Sequence, residues 1–128
     1  MFHVETDTIR NLLILIFTKQ VSTTQARHCR VEVEAGLTKL SSGFRLLTDL
    51  SNLEKMDYAC AVEISKIMDS CRKKGVAEVV RVIPDSKKDI GFKVMSFFHY
   101  GHAVPIVTCE TLKEAQMKLS IAPTLNTK

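Results

Sequence analysis

The stretch Gly43–Val62, GFRLLTDLSNLEKMDYACAV, decides the fold because it passes from a strand through a polar turn into a helix. Residues 44 to 50 carry three leucines in the pattern of a buried strand. Ser51 and Asn52 are turn-forming residues and predict a turn directly after Leu50. The rest of the chain repeats or supports this strand–turn–helix unit.

The helix after this turn is predicted to have two distinct faces. Apolar residues recur at three- and four-residue steps, so one stripe faces the core and the charged residues face solvent. Gly75 stands where a left-handed residue commonly ends a helix. The core stripe comprises Cys60, Ile64, Ile67, Met68 and Cys71, and the solvent face comprises Glu63, Lys66, Asp69 and Lys73.

Two strands and a helix are predicted upstream. Phe2–Thr6 alternates like an edge strand, and the continuous apolar run Leu12–Phe17 is typical of a strand buried on both faces. Ser22 with Gln25 three residues later fits a capping box, so a helix begins there and ends near Ser41–Gly43. Its inward residues are Ala26, Cys29, Val33, Leu37 and Leu40.

The segment after Gly75 predicts a second strand–helix unit. Val79–Ile83 reads as a buried strand stopped by Pro84. Ser86 begins a helix that Gly101 ends. The inward residues of this helix are Ile90, Val94, Phe97 and Phe98.

A last strand and helix complete the chain. Val104–Thr108 is predicted as an edge strand because Pro105 has no backbone N–H to donate. Thr111 and Glu114 form a second capping box. The inward residues of this helix are Leu112, Ala115 and Leu119.

Strands that alternate with helices over short links predict an α/β fold. We expect one mostly parallel sheet of about five strands with about four helices, the N-terminal strand being antiparallel. A single domain is expected over residues 1–121, followed by a flexible tail at 122–128. The residues expected to be almost fully buried are Ile14, Leu46, Ile64, Ile67, Val80, Val82 and Phe97.

Composition disfavours several classes of protein. A net charge of +4 with scattered basic residues, apart from Arg72–Lys74 and Lys87–Lys88, does not indicate nucleic-acid binding. The run Leu12–Phe17 is far below the roughly 20 residues that a membrane span needs. The four cysteines form no CxxC pair and are expected to be buried, reduced thiols. Because thiols stay reduced in the cytoplasm, a cytoplasmic location is expected.

The default site is the predicted turn and the start of the helix that follows it. Open α/β sheets place ligands at the carboxyl ends of parallel strands, and a helix start favours anions. The alternative is a purely structural role, in which Ser51 or Asp57 only caps the helix. The predicted site residues are Asp49, Ser51, Asn52, Glu54, Asp57 and Tyr58.

Catalysis is disfavoured, because the chain has no glycine-rich phosphate loop, GxSxG or HExxH motif. His99 and His102 lack a nearby carboxylate or thiol at ligand spacing, so no metal site is expected. His28 and Cys29 are adjacent in a helix and point in different directions, which suits an exposed histidine and a structural thiol. We expect no catalytic residue, metal or cofactor.

The run Leu46–Ala61 resembles the central motif of STAS domains, the family of anti-sigma-factor antagonists and sulphate-transporter tails. In that motif a strand ends in Asp-Leu and a short turn leads to an Asp-Ser-Ser-Gly helix start. The resemblance extends through Val79–Ile83 to Thr111–Ala115 and covers most of the chain from Leu12 to Leu119. The chain also resembles the broader SpoIIAA-like group.

In anti-sigma-factor antagonists, the serine after this aspartate is phosphorylated by a partner kinase. The matching aspartate is Asp57, but the serine position holds Tyr58, and Ala59–Cys60 replaces the following Ser-Gly. The resemblance therefore implies the fold and the recognition surface, and no phosphorylation is expected at this position.

The leading hypothesis is a non-enzymatic, cytoplasmic STAS-like regulatory module. It binds a regulatory protein, such as an anti-sigma-factor-like kinase, through the turn and the N-terminus of the second helix. The alternative is a domain that binds a small anionic or lipid-like ligand at the same tip. The sequence leaves the oligomeric state open.

Overall fold

The computed structural model describes residues 1–83, 100 and 103–120, which form a five-stranded sheet with helices on both faces. The strand order is β1-β2-β3-β4-β5. The β1 strand is antiparallel to β2, and the other three pairings are parallel. The elements are β1 Phe2–Asp7, β2 Leu12–Val21, α1 Thr23–Leu37, β3 Arg45–Met56, α2 Cys60–Lys74, β4 Glu78–Val82, β5 Ile106–Cys109 and α3 Leu112–Ser120. The predicted α/β class and antiparallel first strand are confirmed.

Successive side chains of β2 point to opposite faces of the sheet, and both faces are covered by helices. Leu13, Leu15 and Phe17 belong to the core cluster beneath α1 and α2, whereas Leu12 belongs to a second cluster beneath α3. Ile14, predicted as almost fully buried, is partly exposed. Its neighbour on β1 is the exposed Glu5, so it lies at the rim of the α3 cluster. The other described members of that prediction, Leu46, Ile64, Ile67, Val80 and Val82, are buried.

The helix α1 begins as predicted but ends earlier. Ser22 is the N-cap of a complete capping box with Gln25. The helix stops at Leu37 because the chain then forms tighter turns, in which Leu40 N donates to Leu37 O at 3.2 Å. Leu40 is nevertheless buried, as expected.

The helix α2 has the predicted apolar stripe and C-terminal cap. Gly75 adopts a φ of 98°, in the left-handed region that a helix cap uses. The prediction that Glu63 faces solvent is wrong, since its side chain is only 8% exposed. Glu63 faces α1 and accepts a hydrogen bond from Arg30 there, which makes its burial tolerable.

The end of the described chain follows the prediction with small shifts. The β5 strand is an edge of the sheet, and Pro105 precedes it. Thr111 Oγ1 accepts from Glu114 N at 3.1 Å and so caps α3. Leu112, predicted to point inward, is 39% exposed because it lies in the first turn, beyond the cluster that buries Ala115 and Leu119.

Some predictions lie outside the described residues. These are the helix from Ser86 to Gly101 with Phe97, the histidines His99 and His102, and the tail at 122–128. In the part of the chain that the structure describes, no helix is long and apolar enough to cross a membrane. All four cysteines are free and buried.

Candidate functional site

The β3 strand continues through the predicted turn, which corrects the position of the site. Ser51 and Asn52 lie within β3, which ends only at Met56. The strand continues because β2 is also long and pairs with it as far as Val21 and Met56. The pairing shifts register twice, and each time β3 contains one more residue than β2. Lys19, at the second shift, has a φ of 55°. Polar side chains are tolerated here because β4 pairs with β3 only as far as Asp49.

The true turn between β3 and α2 comprises residues 57 to 59. Asp57 N donates to Val21 O at 3.2 Å, which anchors the turn to β2. Cys60 N donates to Asp57 O at 2.9 Å and thereby starts the helix. The N-cap residue is Ala59, and no side chain of the described residues caps α2. The alternative in which Ser51 or Asp57 caps this helix is therefore wrong, and the Asp57 carboxylate has no capping role.

Tyr58 is the most prominent side chain of this turn, with 95% of its surface exposed. Its carbonyl oxygen accepts from Ala61 N at 3.1 Å, so the backbone of the turn is held in place. Val62 lies one helical turn further along α2 and is 58% exposed. An exposed tyrosine with an exposed valine beside it forms apolar surface that folding leaves uncovered.

Asp49 and Ser51 form a local hydrogen-bonded pair away from the turn. Ser51 Oγ donates to Asp49 Oδ1 at 2.6 Å, and Ser51 N donates to the same oxygen at 3.0 Å. Asp49 is only 6% exposed. Two donors on one carboxylate oxygen explain how this acid is tolerated inside the sheet.

The remaining predicted site residues, apart from Tyr58, line two separate surface grooves. Asn52 and Glu54, together with Ser51, line a groove of about 630 Å³ that Lys19 also borders. Asp57 lines a different groove of about 300 Å³. Tyr58 lines neither groove. The structure therefore brings Asn52 and Glu54 together and separates them from Tyr58.

A cavity of about 30 Å³ lies in the core, bounded mostly by apolar side chains of β2, β3 and α2. Thr48, Arg81 and Tyr100 supply its polar atoms. This volume is on the scale of a single water molecule. The cavity, as the described residues outline it, is too small for an organic ligand.

A charged cluster between α1 and α2 was not predicted from the sequence. Arg30 Nε donates to Glu63 Oε1 at 2.7 Å, and this bond, more than any other contact, holds the Glu63 pKa below its usual range. Arg27 Nε lies 4.0 Å from the other Glu63 oxygen. The charge of Lys66 also lowers the Glu63 pKa. Charged residues of both helices thus meet beside Val62.

The thiol nearest the turn does not have the environment of a nucleophile. Cys60 is fully buried, and burial raises the pKa of its thiol. Its Sγ donates to Val21 O over 3.6 Å. Since the thiolate is the reactive form, Cys60 is held in its unreactive state. Among the described residues, no group of three metal-ligating side chains comes together.

Comparison with known proteins identifies the fold. No family model and no curated protein matches the chain by sequence. Among solved structures, an uncharacterised DUF3478-family protein with a SpoIIAA-like fold from Shewanella loihica PV-4 is similar with a TM-score of 0.69. The two share 14% identity, over 92% of this chain and 93% of that one.

Two structures of SpoIIAA are similar as well. The anti-sigma factor antagonist SpoIIAA in its unphosphorylated form gives a TM-score of 0.65 at 12% identity, over 92% of this chain and 96% of that one. The Bacillus cell fate determinant SpoIIAA in its phosphorylated form gives 0.63 at 15% identity, over 93% and 99%. At these identities the likeness shows a shared fold, and the predicted SpoIIAA-like architecture is confirmed.

Proposed function

We propose that this chain, which has the SpoIIAA-like fold, is a non-catalytic cytoplasmic module that regulates a protein partner by binding it. The partner contacts the turn at residues 57 to 59 and the first turn of α2. The observation that carries this proposal is the 95% exposure of Tyr58 at that turn. SpoIIAA, one of the similar structures, is an anti-sigma factor antagonist, so the partner proposed for this chain is a regulatory protein such as an anti-sigma-factor-like kinase.

An exposed tyrosine suits protein recognition for physical reasons. Its ring offers a large apolar area with only two side-chain torsions to fix, and its hydroxyl can donate or accept a hydrogen bond. Such residues are enriched among those that contribute most to binding energy at interfaces. Small molecules bind instead in concave sites, and Tyr58 projects outside both grooves near it.

The proposal excludes a phosphoserine switch at the turn. Such a switch adds a charge of about −1.5 to −2 beside the positive end of a helix. Residues 56 to 60 read Met-Asp-Tyr-Ala-Cys and contain no serine or threonine. A serine kinase of the antagonist type is therefore expected to leave this segment unmodified, which mass spectrometry of the incubated chain would test.

The experiment is a comparative capture of partners from the source cell. Wild-type chain and the variants Tyr58→Ala and Met117→Ala are immobilised, and the bound proteins are quantified. Met117 is the matched control because it is 63% exposed and lies on α3, against the opposite face of the sheet. We expect a partner that binds wild type and Met117→Ala equally and Tyr58→Ala less.

Calorimetry with the purified partner then gives the size of the effect. Tyr58→Ala should weaken binding by more than about 1 kcal/mol while leaving the unfolding temperature nearly unchanged. A partner whose affinity per folded molecule is the same for Tyr58→Ala would show that Tyr58 is not the anchor.

A second candidate function is the binding of a small anionic or lipid-like ligand. The observation in its favour is the groove of about 630 Å³ that Ser51, Asn52 and Glu54 line beside Lys19. Native mass spectrometry of the purified chain would reveal a retained ligand. Substituting Asn52→Trp should fill the groove and release it, whereas Tyr58→Ala should not.

A further inference from the structure

We propose that the binding surface continues from α2 onto α1 and accepts an acidic, apolar segment of the partner. The inference rests on the proposed function, because it extends the surface that begins at Tyr58. We call this surface the α1–α2 ridge. It comprises Tyr58, Val62 and Lys66 from α2 and its preceding turn, together with Arg27 and Val31 from α1.

The apolar part of the ridge consists of large hydrophobic side chains that remain exposed in the folded chain. Val62 and Val31 are 58% and 55% exposed, in addition to Tyr58 at 95%. Each valine lies on the side of its helix that faces away from the buried stripe. β-Branched residues weaken a solvent-exposed helix slightly, so local helix stability does not account for them.

One contact between the helices links the α1 part of the ridge to α2. Arg27 and Val31 lie four residues apart and therefore on the same face of α1. Arg27 Nε reaches to 4.0 Å from Glu63 Oε2, and Glu63 adjoins Val62 in the chain. The Arg27 side chain thus spans from the face that carries Val31 to the part of α2 that carries Val62.

The charge on the ridge is positive. Arg30 is committed to Glu63 at 2.7 Å and to Glu34 at 3.3 Å. Arg27 makes only the long contact with Glu63 and keeps its side chain 54% exposed. Because Glu63 and Glu34 both pair with Arg30, the exposed cations Arg27 and Lys66 have no carboxylate at close hydrogen-bonding distance among the described residues.

These features define the partner's chemistry. Apolar side chains would cover Tyr58, Val62 and Val31, and carboxylates would pair with Arg27 and Lys66. Asp57 adds a negative charge at the Tyr58 end of the ridge, where it is exposed. Glu32, which adjoins Val31, is an exposed acid at the other end, so the acidic groups of the partner are expected between the two ends, opposite Arg27 and Lys66.

The test uses a random dodecapeptide library displayed on phage and selected against the immobilised full chain. We expect recovered peptides to be enriched in Asp and Glu together with large apolar residues. Arg27→Glu and Val31→Ser should each weaken peptide binding about tenfold, and added salt should weaken it as well. The matched controls Lys113→Glu and Met117→Ser change exposed residues of α3 and should bind like wild type.

Arg27→Glu places a second acid beside Glu63, so Arg27→Gln is included as the milder variant, and thermal unfolding confirms that each variant is folded. The inference is overturned if no peptides are recovered, if they lack acidic residues, or if they bind Arg27→Gln and Val31→Ser as well as wild type. Peptides that depend on Tyr58 alone would leave the proposed function standing while refuting the ridge. Peptides that depend on Arg27 and Val31 but not on Tyr58 would refute the proposed anchor instead.

Discussion

Arg30 on α1 donates from its Nε to Oε1 of Glu63 on α2 across 2.7 Å, and this bond joins the two helices that cover one face of the sheet. Both side chains are largely withdrawn from solvent, at 22% and 8% exposure. A carboxylate placed there without a donor would be costly, so each residue requires the other. The pair therefore adds a specific polar contact to the apolar packing between α1 and α2.

The pair gives the protein a predictable acid sensitivity. The Arg30 hydrogen bond lowers the pKa of Glu63 below its ordinary value of 4.5, so this stabilisation is fully present above pH 4.5. It is lost as the pH falls through the lowered pKa of the folded state. Wild type should unfold more readily as the pH drops below 4.5, whereas Glu63→Gln should lose less stability over the same range. Urea unfolding of both proteins at several pH values measures this, and parallel curves would contradict it.

The core beneath α2 should respond strongly to truncation. Ile64 is 5% exposed, and Ile64→Ala should cost about 2 to 5 kcal/mol of unfolding free energy because it removes packed atoms and leaves a cavity. The control is Val62→Ala on the same helix, which should change stability by no more than about 0.5 kcal/mol. A loss below about 1 kcal/mol for Ile64→Ala in chemical denaturation would contradict the packing described for α2.

The two left-handed glycines should differ in their tolerance of alanine. Gly75 and Gly43 have φ values of 98° and 88°, so alanine at either position should cost about 1 to 2 kcal/mol from backbone strain. A Cβ at Gly75 would also clash with Ser42 Oγ, while one at Gly43 would meet no atom of the described residues within 4 Å. Gly75→Ala should therefore be the less stable variant in thermal unfolding. Equal losses would mean that Ser42 moves aside freely.

The buried thiols should resist modification in the native state. Burial raises the pKa of Cys29 and of Cys71 to about 12, so both are protonated at neutral pH. Cys60 is also fully buried. Labelling with an aromatic disulfide reagent at pH 8 should be slow in buffer and fast in guanidinium chloride. Rapid native labelling of Cys60 and Cys71 would show that α2 opens readily.

Local sequence rules were sufficient where a single residue decides the geometry. The capping box of Ser22 and Gln25 started α1 at the predicted place, and Gly75 ended α2 there. In the sequence, the first half of β2 is a continuous apolar run without alternating polar residues, because both faces of this strand are covered. That run correctly indicated a strand covered on both faces but did not show that Ile14 lies at the rim of a cluster.

The features that depend on long-range contacts could not be predicted. Ser51 and Asn52 favour a turn locally, yet pairing with β2 keeps them in a strand. The Glu63 contact joins residues 33 positions apart, and an amphipathic pattern assigns any glutamate to the solvent face. The sequence did contain an indication that Val62 is exposed, because this apolar residue lies opposite the buried stripe of α2.

The strand order β1-β2-β3-β4-β5 means that every strand pairs with the one made just before it. A chain emerging from the ribosome can therefore add each strand to an edge that already exists, without waiting for a later segment to be inserted between two earlier ones. Short separations between pairing strands also keep the entropic cost of closing loops small. Refolding from denaturant should accordingly be fast for a sheet protein, with the β1–β2 hairpin forming early because only four residues separate these strands.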